Sequence, residues 1–231
     1  DRTAATWTQA LATAVEGLPV TVIQGTSDEA KSLQRHVVKD LGAQHASDLF
    51  HGQHEVSQAT SLHLARKVRQ ATTAVAAAQQ AVDAAQDARR AYEAQIPRPR
   101  GRPPAFTARL DAARTDLIRA ERAQTEAHAR QAQAREQIRE LGNLYHPYDL
   151  VRGGAQAVAY VAARCAEVWA RLAHLADAAD LPARAREHLA KAQRLTVPWL
   201  ATLAFFWATV QIRVDALDLA PDLEQASPRS S

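Results

Sequence analysis

Residues 68–92 read VRQATTAVAAAQQAVDAAQDARRAY, and the spacing inside this stretch decides the fold class. Val68, Val75 and Val82 recur every seven residues, and Ala71, Ala78, Ala85 and Tyr92 follow in the second heptad position. A seven-residue apolar repeat is the period of a helix that lays one seam against another helix. The matching half lies beyond a proline-rich break. Leu110, Leu117 and Ile138 share one heptad phase with Gln124 and Gln131, while Ala113, Ala120, Ala127, Ala134 and Leu141 hold the other. Two helices of about 40 residues would each run about 60 Å. Their equal lengths and short connection predict an antiparallel coiled-coil hairpin. Alanine in the seam lets the axes approach closely but buries little area, so the arm is expected to be only moderately stable.

Composition agrees with a largely helical chain. Alanine supplies 52 of the 231 residues and glycine 8, and these are the strongest and nearly the weakest helix formers. An apolar content of 47% with 23% charged residues is that of a folded protein rather than a disordered one. The single cysteine, Cys165, excludes an internal disulfide framework and fits a reducing compartment. It lies on an apolar helix face without a neighbouring histidine, which predicts a buried, inert thiol. No signal peptide is legible. The most apolar run, Val197 to Val210, is 14 residues long, short of the roughly 20 needed to span a bilayer. It is expected to be a core helix, with Trp199, Phe205, Phe206 and Trp207, like Trp169, in the core rather than serving as stacking platforms. The chain has no methionine, so Asp1 is expected to be internal to something longer or to follow a processed end.

The net charge of +3 conceals an uneven distribution. Residues 1–53 carry −2, residues 54–142 carry +5 and residues 143–231 are neutral. The first segment alternates helix and strand: a helix over Arg2–Val15, a strand at Val20–Ile23, a helix over Glu29–Leu41, an extended piece at Ala46–Phe50 and a helix near Gln53. That order predicts half of an α/β layer with parallel strands. After a loop at Asn143–Gly154, helices are expected around 155–179, 182–195 and 198–217.

Three groups of residues are candidates for chemistry. Asp28 follows the first strand; it reads either as a helix N-cap or as a carboxylate at a strand end, where α/β folds place metal ligands. The run His45-Ala-Ser-Asp48-Leu-Phe-His51-Gly-Gln-His54-Glu55 is histidine-rich, but its spacing is neither that of structural zinc nor that of a zinc protease. The tip of the hairpin, residues 96–104, includes Pro97-Arg98-Pro99-Arg100-Gly101-Arg102-Pro103. Arg100-Gly-Arg-Pro103 has the form of a minor-groove hook, in which arginines follow the narrow floor of A·T-rich DNA and glycine permits close approach. The same residues also suit a rigid basic turn.

The residues from Val20 to Lys31, Leu41 to His45 and Ser47 to Glu55 resemble bacterial insertion-sequence transposases of the DDE type, with an RNase H-like core and a long helical insertion. The resemblance extends over most of the chain, including Pro97–Phe106 and Leu144–Tyr148. It implies that Asp28 is the second catalytic aspartate and a metal ligand, and that Asp48 and His51 form the C/D-x-x-H motif. It implies DNA strand transfer with Mg²⁺ or Mn²⁺ in the complete enzyme, transposon ends as partners, a possible homo-oligomer, and a bacterial cytoplasmic location without membrane contact. On this reading residues 1–54 are a partial catalytic core, 55–142 the hairpin and 143–231 a helical insertion. The overall expectation is a mainly α chain with a small α/β part and a helical bundle. The pattern's first aspartate and its glutamate have no counterpart here, so the fragment is expected to be inactive alone and to hold no metal tightly. The alternative is a non-enzymatic helical DNA-binding or dimerisation protein using the basic tip, with Arg98, Arg100, Gly101 and Arg102 on DNA. A third possibility is a structural coiled coil with no nucleic-acid role.

Overall fold

The computed structural model describes residues 3–27, 30–47, 49–97 and 101–217. The described residues are mainly helical, at 76% helix and 5% strand. The elements are α1 (Ala4–Val15), β1 (Gln24–Ser27), α2 (Lys31–Arg35), a π-helical turn (His36–Asp40), β2 (Gln44–Ser47), α3 (Leu49–Glu93), α4 (Phe106–Leu144), α5 (Val158–Ala178), α6 (Ala183–Arg194) and α7 (Thr196–Ala216).

The long pair dominates. α3 has 45 residues and α4 39, so α3 alone runs about 68 Å. They pack antiparallel: the rings of Tyr92 and Phe106 meet at 5.1 Å. Gln124 Nε2 donates to Thr72 Oγ1 at 3.0 Å, and Gln53 lies against Gly142. Every seam residue expected from the heptad phase is buried or half-buried. The cross-helix bond of Gln124 explains one of the two glutamines in that phase. α3 is continuous across residues 54–55, so the segment boundary expected there falls inside a helix.

The core sits at the base of the hairpin. Val56, Ala59 and Leu64 of α3 meet Ala134, Leu141 and Leu144 of α4, and α5, α6 and α7 close around them with Val161, Leu172, Leu189, Trp199 and Leu203. Among the described residues between 70 and 125 only Val82 and Leu110 are buried, so the outer arm is a thin two-helix layer. Gln156 ties the base together: its side-chain amide donates to the carbonyls of Asn143 and His146, and its backbone carbonyl accepts from the Trp207 indole at 3.1 Å.

The run 197–210 does not form a fully buried helix, which corrects the sequence reading. Trp199, Leu203 and Trp207 face the core, whereas Val197 and Ile212 are exposed and Phe205 and Phe206 only half-buried. One side of α7 has core to pack on and the other does not. Together α6 and α7 form a 34-residue run, Ala183–Ala216, long and apolar enough by composition to cross a membrane, with a mean hydropathy of 1.5 in its most apolar window and 17% of that window buried.

The expected helix–strand–helix–strand–helix order is present in the first segment, with shifted boundaries. The first strand is Gln24–Ser27 rather than Val20–Ile23, and the second is Gln44–Ser47 rather than Ala46–Phe50. Val20 and Ile23 are exposed and precede the strand; the Ile23 carbonyl accepts from the Gln44 amide at 3.0 Å, at the margin of the pairing. α3 claims the chain from Leu49. The two strands pair in parallel, Gln24 opposite Gln44 through Ser27 opposite Ser47. Gly25 is required by close packing: a Cβ there would come 2.7 Å from Cγ2 of Val37 in the π-helical turn.

Candidate functional site

Two regions carry the residues singled out by sequence: the carboxyl ends of the strands and the tip of the hairpin. Asp28, Asp48, Arg98 and Arg100 lie outside the described residues. The groups that flank them are described.

At the strand ends the register places Ser27 opposite Ser47, and each serine is followed in sequence by an aspartate. The Ser27 hydroxyl and His45 Nε2 are hydrogen-bonded at 2.8 Å, joining the two strands on one face of the sheet. α1 is fastened to the same unit through Thr8, which donates to Asp40 Oδ2 at 2.9 Å and bonds His36 Nδ1 at 2.8 Å. That hydroxyl, helped by His36, holds the Asp40 carboxyl below its ordinary range.

The described side chains of the histidine-rich run point in different directions. His51 is exposed in the first turn of α3, and His54 is exposed and bonded to Gln58 at 2.8 Å. Glu55 turns the other way, into the base, where its two carboxylate oxygens bind His188 and Lys191 of α6. Burial by itself would raise this carboxyl, but the hydrogen bonds and charges of Lys191 and His188 outweigh it and hold Glu55 below the usual glutamate range. This link across 136 residues leaves no trace in the sequence. Among the described residues no group of three His, Cys, Asp or Glu side chains is close enough to hold a metal ion. The expected metal ligand, Asp28, lies outside the described residues, and no chemical step is assigned to a metal.

The tip begins beyond the Tyr92–Phe106 contact. Gly101 has φ +115°, a conformation that glycine adopts without strain, with open space where a side chain would stand. Arg102 is exposed. Ion pairs offset some of the hairpin's arginines and not others. Along the stem, Arg90 pairs with Asp87, Arg119 with Asp116, and both Arg122 and Arg130 with Glu126. Arg102, Arg109 and Arg114 are exposed and have no ion-pair partner among the described residues. Arg66, Lys67, Arg69, Arg135 and Arg139, lower on the hairpin, are likewise exposed and without an ion-pair partner among the described residues, so unneutralised positive charge lies along the arm as well as near its end.

Cys165 is buried in α5, and desolvation pushes its thiol up to about 12, so it is inert in the folded protein. No protein-family profile, curated protein or solved structure matches the chain.

Proposed function

We propose that the chain is part of a bacterial insertion-sequence transposase of the DDE type, in which residues 1–54 belong to an RNase H-like core and the coiled-coil hairpin and helical base form an insertion that holds DNA. The observation that carries this reading is the parallel pairing of Ser27 with Ser47, each followed by an aspartate, within an α-β-α-β-α order. Side chains at the carboxyl ends of parallel strands project beyond the sheet, where α/β folds place ligands and catalytic groups, and Asp28 follows such an end. The arginines without acidic partners near the tip support a DNA contact there, and the burial of the heptad positions supports a coiled coil. The reading assigns catalysis to a full-length cytoplasmic protein that supplies a first aspartate and a glutamate, with Mg²⁺ or Mn²⁺, and expects no strand joining by residues 1–231 alone.

Two measurements test it. In the full-length protein, Asp28→Asn should abolish joining of transposon-end DNA while leaving DNA affinity unchanged; joining at the wild-type rate would refute the assignment. On residues 1–231, Arg100→Ala with Arg102→Ala should weaken binding to an A·T-rich duplex and flatten its salt dependence by about one unit of slope for each phosphate no longer held. Unchanged affinity would reduce the tip to a rigid turn. The second reading, a non-enzymatic helical DNA-binding or dimerisation protein, rests on the same tip arginines; it predicts salt-dependent DNA binding and no strand joining by the full-length protein.

A further inference from the structure

The face of the sheet that carries Gln24 and Thr26 does not pack flush against α7. Between them lies a cleft of about 270 Å³, lined on its inner side by Tyr145, Trp199 and Phe206 and at its edge by Gln24, Thr26 and Thr202. Tyr145 and Trp199 are set edge to face, with centroids 4.9 Å apart and planes at 74°, so they form a fixed aromatic corner. Burial pushes the Tyr145 phenol upward, so its hydroxyl stays protonated at neutral pH.

The polar groups at the edge are available. The side chains of Gln24 and Thr26 have no hydrogen-bond partner among the described residues. Thr202 donates its hydroxyl to the Pro198 carbonyl at 3.0 Å and keeps its acceptor capacity. Ser47 borders the cleft at the strand end, but the register puts its side chain on the opposite face with Ser27, so the polar groups turned to the cleft are those of Gln24, Thr26 and Thr202.

We infer that this cleft binds a single unstacked nucleobase. Its volume is at or below the lower end of small-molecule pockets, about 300–1,000 Å³, which suits one flat ring system and not a larger ligand. Aromatic walls with a polar edge are how unstacked bases are held: the ring stacks or wedges against aromatic side chains, and its hydrogen-bonding edge meets polar groups. A glutamine amide matches the adjacent donor and acceptor of adenine, so Gln24 favours that base. The cleft lies beside the strands whose ends precede Asp28 and Asp48, which would keep an extruded base close to the strand ends. Choosing a nucleobase over another flat ring rests on the proposed DNA-binding function; the cleft itself does not.

Free deoxynucleosides test the site apart from the hairpin tip, because they carry no phosphate for the arginines to hold. In residues 1–231 labelled with ¹⁵N, titration with each of the four deoxynucleosides is followed at the Trp199 indole N–H. Deoxyadenosine should shift it saturably and bind tightest. Gln24→Ala should weaken deoxyadenosine about tenfold, the effect of losing a paired hydrogen-bonding edge. Thr202→Phe, a half-exposed position chosen so that folding survives, should fill the cleft and remove the shift for all four. No saturable shift with any nucleoside overturns the inference, as does a shift that Thr202→Phe leaves intact in a variant with wild-type circular dichroism. A positive result together with failure of duplex binding would keep the cleft and reject the tip.

Discussion

Glu55 offers the sharpest test of how the base is held. Its side chain is 11% exposed and bridges α3 to α6 through Lys191, at 56% exposure, and His188, at 27%. Breaking a fully buried pair costs about 3–5 kcal/mol because a charge is left stranded. Here the stranded charge would sit on Lys191, a side chain that already reaches water, so much of that cost is recovered by hydration. What remains is the loss of charge-assisted hydrogen bonds to a mostly buried acceptor, and Glu55→Gln should lower stability at pH 7 by about 2 kcal/mol. The pH dependence has a definite sign. The carboxyl is lower in the folded state than in the unfolded one, so its stabilisation is fully present above the unfolded value near 4.5 and disappears as pH falls through the folded value. Urea unfolding of wild type and Glu55→Gln across neutral to acid pH should show two curves converging below the glutamate range. A difference under about 0.5 kcal/mol at pH 7, or one that persists undiminished at acid pH, would refute the bridge as a stabilising element.

Three further outcomes follow from the packing. Leu172 is 1% exposed at the centre of the base, so Leu172→Ala should cost about 3 kcal/mol and lower the thermal midpoint by roughly 6–12 °C in calorimetry. Gly25→Ala should cost about 1–3 kcal/mol by driving a methyl into Val37, and the double variant with Val37→Ala should recover part of that loss in urea titrations. Cys165, buried and with its thiol raised to about 12, should resist aromatic disulfide reagents at neutral pH and react fully in denaturant; native-state labelling faster than global unfolding would contradict this.

The helical part of the fold is the part that sequence reveals most directly, because a seven-residue period over several turns has few other solutions. Val82, Leu110, Ala127, Ala134 and Leu141 fall where that period puts them. Composition misplaces the strands for a physical reason. Val20–Ile23 has the β-branched character of a strand, yet Gln24–Ser27, with a glycine and no branched aliphatic residue, is the segment that pairs. Strand propensity reflects fit to a neighbouring surface, and here Gly25 fits beneath Val37 while the Ile23 side chain stays exposed. The partners of Glu55 and the cleft beside Gln24 are illegible for another reason. Each joins residues more than 100 positions apart, and no local pattern encodes such a contact.

The arginines show how one composition serves two ends. Sequence counting assigns the middle segment an excess of five positive charges but does not say where they act. On the helices, acidic residues three or four positions from an arginine neutralise it locally, as Glu126 does for both Arg122 and Arg130. Such pairs add little stability at an exposed surface and weaken the local field only where they form, since Arg66, Lys67, Arg69, Arg135 and Arg139 have no such pair among the described residues. Nearer the tip that compensation fails too. Arg109 has no acidic residue three or four positions away, and Arg114 has only Asp111, with which it forms no ion pair. Arg102 lies in the non-helical turn, where no such spacing operates. A polyanion approaching the hairpin therefore meets unpaired cations both lower on the arm and near the tip, the tip lying some tens of ångströms from the cleft at the base given the helix lengths. At that separation, several Debye lengths in physiological salt, the two regions do not reinforce one another electrostatically. A single DNA molecule engaging both would have to be long enough to reach along the arm.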